Sequence, residues 1–170
     1  MKIAIYGKMC YGKTTVANIL KYYNNNFKIY SFGQKVKDIA TDLFQMQNKD
    51  RTLLTSIGTK MREIDPDIWA KYVMINCKDD EFVLIDDLRY QNEYEYLMKN
   101  GFKIIELTLP IEIQKQRIME LYPDNYMDHF NNMEHISEKG LKVKDSFKID
   151  MNQDLDAVKD ILYKYLNDNV

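Results

Sequence analysis

The chain has 170 residues, 45% of them hydrophobic, with 24 Lys plus Arg against 26 Asp plus Glu, a net charge of −2 and a pI near 5.7. That length suits one domain, 1–170, with a substantial core, and the charge balance excludes a global basic field of the kind that holds polymeric nucleic acid. No apolar run approaches the roughly 18 residues of a membrane span, and Met1 leads straight into a strand, so neither membrane nor leader is expected and the chain reads as cytoplasmic. Cys10 and Cys77 lack metal-ligand spacing and are expected as reduced thiols.

Lys2 to Tyr6 reads as a short β-branched strand. It runs into Gly7-Lys8-Met9-Cys10-Tyr11-Gly12-Lys13-Thr14, a complete G-x-x-x-x-G-K-[ST] pattern, and Thr15 to Tyr23 continues as a helix. Strand, glycine loop and helix in that order predict a triphosphate site. Gly7 and Gly12 let the backbone N–H groups curl toward phosphate oxygens, and the helix that Thr15 opens adds its positive N-terminal end. Lys13 is placed to reach the β and γ phosphates of ATP, and Thr14 to set its hydroxyl on a bridging Mg²⁺.

A turn at Asn24–Asn26 leads to a second strand, Phe27 to Ser31, and Gln34 to Gln47 carries Val36, Ile39, Ala40, Leu43 and Phe44 at helical spacing. Thr52 to Arg62 and Asp67 to Cys77 are two further helices, the second introduced by Asp65-Pro66. Phe82 to Ile85 is a third strand ended by Asp86 and Asp87, and Asn92 to Lys99 a helix closed by Gly101. Phe102 to Leu109 is a fourth strand, Ile111 to Leu121 a helix, and Tyr122 to Asn132 a polar, aromatic stretch without clear period, read as a mobile loop. Ser146 to Ile149 and Leu155 to Leu166 supply the last strand and helix. Alternating strands and helices predict a three-layer α/β/α fold on a five-stranded parallel sheet, with the active groups at the strands' C-terminal ends.

Four candidate groups fall there. Asp86 and Asp87 sit where a carboxylate reaches Mg²⁺ opposite Thr14, either of the two serving the metal. Arginine is scarce: only Arg51, Arg62, Arg89 and Arg117 occur, leaving 24 − 4 = 20 lysines. Arginine kept in a lysine-rich chain points to positions that need a planar, bidentate fork, whether for phosphate or for a structural ion pair. Lys37, Arg62 and Arg89 are the candidates for gripping an acceptor phosphate. Phe32 and Trp69 either wall a base or belong to the core. Arg117 either approaches the donor nucleotide from the helix entering the loop or pairs with Glu120. His129 and His135 carry no metal pattern and are assigned no catalytic role. Phosphoryl transfer needs positioning and electrostatics more than a covalent nucleophile.

Together these residues resemble the deoxynucleoside monophosphate kinases of bacteriophages and large DNA viruses, within the P-loop nucleoside monophosphate kinase superfamily. Ser31-Phe32-Gly33 through Lys37 is similar to that family's S-F-A-x-x-L-K segment, with Gly33 for the alanine and Val36 for the leucine. Arg51 through Leu54, Gly58, Thr59, Arg62 and then Trp69 resemble R-x-L-L-x-x-x-G-T-x-x-R and its downstream tryptophan. Asp87-Leu88-Arg89-Tyr90-Gln91-Asn92-Glu93 resembles D-V-R-F-x-N-E, and His135, Ser137 and Glu138 resemble H-x-S-E.

The resemblance implies transfer of the ATP γ-phosphate to a deoxynucleoside monophosphate, with Lys13 and Thr14 serving ATP and Mg²⁺. Asp87 would be the metal-side or substrate-side carboxylate, and Arg62 and Arg89 would hold the acceptor. It implies a helical acceptor-binding region over about 33–78 and a short lid over about 118–140. Arg117 is that lid segment's single arginine, so Lys139, Lys142 or Lys144 are candidates to supplement it. The partner is a small-molecule nucleotide, and a homodimer is left open. Kinases acting on dephospho-coenzyme A or phosphomevalonate use the same loop and carboxylate and stay as the alternative. A guanine-nucleotide switch would need Asp-x-x-Gly after strand three and Asn-Lys-x-Asp; Asp87-Leu88-Arg89-Tyr90 and Asn48-Lys49-Asp50 supply neither.

Overall fold

The computed structural model describes residues 1–133 and 140–169, apart from the side chain of Asn132. Its strands are β1 (Lys2–Tyr6), β2 (Lys28–Tyr30), β3 (Val83–Leu88), β4 (Lys103–Thr108) and β5 (Phe147–Asp150). Its helices are α1 (Lys13–Tyr23), α2 (Phe32–Phe44), α3 (Arg51–Ile64), α4 (Ile68–Asn76), α5 (Gln91–Lys99), α6 (Ile111–Leu121), α7 (Tyr126–Asn132) and α8 (Leu155–Asn167). All strand pairs are parallel, in the order β2-β3-β1-β4-β5. This is the expected P-loop α/β/α architecture.

Period-two alternation divides the core into two layers. Ile3 and Ile5 of β1 point to the side where Val16, Leu20, Val158 and Leu162 of α1 and α8 pack. Ala4 and Tyr6 point to the other, against Phe32 and Val36 of α2, Trp69 and Val73 of α4, and Leu97 of α5. Because β1 is central, the loop that follows it opens in the middle of the sheet's C-terminal edge.

Three elements differ from the sequence reading. Strand β3 runs on through Asp86 and Asp87 to Leu88, so the two aspartates are strand residues, and the register with β1 shifts beside them, between Ala4 and Tyr6. Helix α2 starts at Phe32, with Ser31 as its N-cap residue, so the segment after β2 is helical almost at once. The stretch Tyr122–Asn132 is not a loop throughout: Tyr126–Asn132 forms α7. Its apolar face is aromatic, Tyr126 meeting Phe130 edge to face at 5.6 Å while His129, only 1% exposed, stacks on Tyr122 at 3.8 Å. An aliphatic periodicity search passes over such a face.

Candidate active site

The loop between β1 and α1 is held in shape by its neighbours. Cys10 and Gly12 take positive φ angles of 63° and 89°, which reverse the chain twice so that its amides turn to one side. A side chain at Gly12 would be strained and would meet the Met151 methyl at 3.0 Å; one at Gly7 would meet Leu107 Cβ at 3.0 Å. Tyr11 anchors the loop by donating its hydroxyl to the Leu109 carbonyl at 3.1 Å. Helix α6 clamps it from the side: Gln114 donates to the Met9 carbonyl at 2.8 Å, and Arg117 donates to the carbonyls of Cys10 at 3.4 Å and Met151 at 2.6 Å. Lys13 lies across the mouth, its Nζ donating to the carbonyls of Gly7 at 2.5 Å and Lys8 at 2.9 Å.

Beside the loop, the end of β3 organises α2 and α5. Asp87 accepts from the backbone N–H groups of Phe32 at 2.8 Å and Gly33 at 2.9 Å, so it caps the α2 N-terminus from across the sheet. Enclosure pushes its carboxyl above the usual range, and the two amide donors pull the other way. Asp86 accepts a short hydrogen bond from the Ser31 hydroxyl. Glu93, at the third position of α5, accepts from the N–H groups of Arg89 and Tyr90 at 3.2 and 3.1 Å and from Arg62 Nη2 at 3.1 Å. It is 2% exposed, and burial raises its carboxyl to about 7 against the counter-pull of Arg62. The Arg62 guanidinium is sandwiched, 4.0 Å over the Tyr90 ring with Nη1 donating to the Gly58 carbonyl at 3.2 Å.

These groups surround a cavity of about 400 Å³ between α2, α3 and the β3–α5 junction, with Met9 of the loop on its edge. Among the described residues five cations line it, Lys37, Lys49, Arg51, Arg62 and Arg89, with Val36, Leu54 and the rings of Tyr90 and Tyr122 between them, and no carboxylate does. Burial lowers the Lys49 ammonium from its ordinary value, and the charges of Arg51, Lys37 and Arg89 lower it further. This is a site built for an anion. A larger groove of about 660 Å³ opens at the opposite, N-terminal end of β4 and β5, away from the loop.

The family profile AAA_18, described as an AAA domain, matches residues 3–138. The chain belongs to this family. No curated protein matches the chain. Among solved structures it is similar to TT1252 from Thermus thermophilus (TM-score 0.67, 13% identity, 100% of this chain and 98% of that one) and to a gluconokinase from Sinorhizobium meliloti 1021 (0.61, 13%, 99% and 94%). It is also similar to shikimate kinase from Aquifex aeolicus (0.53, 20%, 99% and 98%). At these identities the likeness establishes the shared fold.

In this AAA domain the sequence-derived candidates divide by where the fold places them. Lys37, Arg62 and Arg89 come together on the cavity, with the loop 7–14 beside it. Phe32 and Trp69, each 3% exposed, pack in the core, and the Trp69 indole N–H donates to the Gly58 carbonyl at 3.3 Å, so both shape the site from behind. Arg117 braces the loop backbone, while Glu120, its sequence-derived alternative partner, is held instead by Gln116 at 2.9 Å. Lys142 and Lys144 are tied through their backbone N–H groups to Gln91 and Tyr94 of α5. His135, Ser137, Glu138 and Lys139 lie outside the described residues.

Sequence reasoning missed Lys49, Arg51, Tyr90, Glu93 and Tyr122 as site residues. Arg51 and the Tyr90–Glu93 stretch were inside segments already singled out, and the structure gives the stretch its physical reason. Glu93 holds Arg62, while Asn92 donates to the Pro66 carbonyl at 2.8 Å and to Asp67 at 3.0 Å, fixing the turn into α4.

The residues fit a Mg-nucleotide. The two positive φ angles make a cradle, and a Cβ at Gly12 would meet the Met151 methyl. Thr14 opens α1 exposed, and Asp86 is partly exposed at the end of the neighbouring strand. Among the described residues no cluster of three or more His, Cys, Asp or Glu could hold a metal by protein ligands alone. That suits a hard divalent cation that takes most of its ligands from phosphates and water. Among the same residues no helix is long and apolar enough to cross a membrane.

Proposed function

We propose that the protein is an ATP-dependent kinase that transfers the γ-phosphate of ATP to the phosphate of a deoxynucleoside monophosphate. The observation that carries this reading is the cavity beside the loop, on whose walls five of the described residues are cations and none is a carboxylate. A kinase whose acceptor is a hydroxyl profits from a carboxylate that takes the proton, whereas a phosphate acceptor arrives as an anionic nucleophile and needs cations instead. Lys37, Arg62 and Arg89 hold that acceptor phosphate, Arg51 and Lys49 add to the field, and Tyr90 and Tyr122 supply faces for a base.

The donor phosphates rest on the amides of residues 7–14, with Lys13 swinging from the Gly7 and Lys8 carbonyls onto them. Thr14 and Asp86 would hold Mg²⁺, which supplies charge neutralisation on the transferring phosphates. Asp87 acts on the acceptor side indirectly, by fixing the start of α2 from which Lys37 projects.

The shikimate and gluconate kinases among the similar folds favour a second reading, a kinase for another small molecule. Within that alternative, the five cations on the cavity wall favour phosphate-bearing acceptors such as phosphomevalonate. The discriminating experiment measures ADP formed from Mg-ATP with dTMP, dGMP, dCMP, dAMP, their ribo counterparts and phosphomevalonate, each against a no-acceptor control. Turnover stimulated by a deoxynucleotide supports the proposal, and stimulation by phosphomevalonate alone replaces it.

A further inference from the structure

His129 is an unusual residue to find beside a cationic cavity. It is 1% exposed, on a helix that the sequence left as a loop, and its Nδ1 faces Arg51 Nη2 at 3.5 Å. A guanidinium only donates, so Nδ1 must accept, which fixes the neutral tautomer with the proton on Nε2. The same ring lies nearly parallel to Tyr122, at 3.8 Å between centroids and 21° between planes. Arg51 and Tyr122 both line the cavity, one from the start of α3 and the other from the end of α6. One imidazole therefore touches a cation and an aromatic ring of the cavity wall that come from different helices.

We infer that His129 is a positioning residue of the acceptor site, fixing the Arg51 guanidinium through Nδ1 and the Tyr122 ring by stacking. The inference rests on the proposed kinase reading for its substrate, while the contact itself concerns any anion held in the cavity. With Nδ1 engaging one Arg51 donor, the remaining fork is oriented for the anion rather than rotating freely. The groups facing His129 are Arg51 and Lys49 from the α3 side, Tyr122 from the α6 end and Asp128 on its own helix. Burial and the two cations hold the imidazole below its ordinary value against the opposite pull of Asp128, and the neutral ring is the form that can accept from Arg51. A proton gained at lower pH removes the acceptor and sets a third charge against Arg51.

Two variants separate this role from simple core packing. His129→Phe keeps a flat ring against Tyr122 and removes the acceptor; His129→Asn offers an oxygen near the Nδ1 position, removes the ring and cannot titrate. Steady-state kinetics with monophosphate and ATP varied in turn should show H129F raising the monophosphate KM about tenfold, the worth of one charge-assisted hydrogen bond, with the ATP KM unchanged. H129N should lie closer to wild type. Below pH 6.5 the wild-type monophosphate KM should climb more steeply than that of H129N, whose residual slope reports protonation of the substrate itself. A wild-type monophosphate KM in H129F, or an equal rise in both KM values, overturns the inference.

Calorimetric titration of inorganic phosphate into protein loaded with a non-hydrolysable ATP analogue makes the test independent of turnover. H129F should bind phosphate about tenfold more weakly than wild type. Weakened phosphate binding in a protein that phosphorylates no monophosphate would sink the kinase reading and keep the inference. Equal phosphate binding by H129F and wild type, or no phosphate binding by the loaded wild type, would sink the inference itself.

Discussion

Replacing Arg62 with alanine removes both a cation of the cavity wall, proposed to hold the acceptor, and the partner of a buried carboxylate, and pH separates the two effects. Glu93 is 2% exposed and its carboxyl sits at about 7 against a reference of 4.5, so near pH 7 it is already about half protonated. Losing Arg62 raises that value further, yet a carboxyl that carries its proton pays no more for it. The ionisation part of the destabilisation is bounded by RT ln(1 + 10^(pH − 7)), about 0.4 kcal/mol at pH 7 and about 2 kcal/mol at pH 8.5. Loss of the contact with the Tyr90 ring and of the hydrogen bond to Gly58 adds about 1–2 kcal/mol at any pH. Because the folded value lies above the unfolded one, the stability Glu93 contributes is full below about 4.5 and is lost as pH rises through about 7. Arg62→Ala steepens that loss above 7. Urea unfolding at pH 6 and pH 8.5 should show the gap between wild type and variant widening by up to about 2 kcal/mol, with groups common to both proteins cancelling. In a Glu93→Gln background the gap should stay constant. A gap in the parent background that does not change with pH would refute the coupling of Arg62 to Glu93. Acceptor KM for the variant is best read at pH 6, where the fold is least affected, and should rise while ATP binding holds.

Asp87→Asn leaves one side-chain oxygen for two amides, so either Phe32 or Gly33 loses its acceptor; urea unfolding should show a loss of about 1–3 kcal/mol, reduced by relief of the buried charge. Lys13→Ala should abolish turnover while the unfolding free energy stays within about 1 kcal/mol of wild type, since its hydrogen bonds to the Gly7 and Lys8 carbonyls lie at the mouth of the loop rather than in the core. Sulfate should raise Tm more in wild type than in Lys49→Ala, because the crowding of Lys49 by Arg51, Lys37 and Arg89 is relieved by an anion.

The half of the site proposed to bind the donor was legible because one continuous octapeptide, Gly7 to Thr14, lies between a strand and a helix of ordinary composition. Parallel topology followed from apolar runs such as Val83–Ile85, too uniformly buried for a half-exposed sheet. The acceptor half was harder to read. Lys37, Arg62 and Arg89, which meet on the cavity, were singled out because arginine is scarce and the short segments resemble a known pattern. Their supports join residues far apart in the chain: Glu93 to Arg62 across 31 positions, Asp87 to Phe32 across 55, Arg51 to His129 across 78. No local spacing encodes such pairs. The bracing role of Arg117 was hidden for the same reason, its partners being backbone carbonyls that have no sequence signature.

The central claim is that one site holds a donor triphosphate on residues 7–14 and the adjoining cavity holds an acceptor phosphate. Incubation with ATP labelled at the γ-phosphate and a panel of deoxynucleoside monophosphates, followed by separation of the products, tests it most directly. The account predicts label in a deoxynucleoside diphosphate, lost in Lys13→Ala and strongly reduced in Arg89→Ala. Label appearing only in inorganic phosphate, at a rate indifferent to every monophosphate, would contradict it.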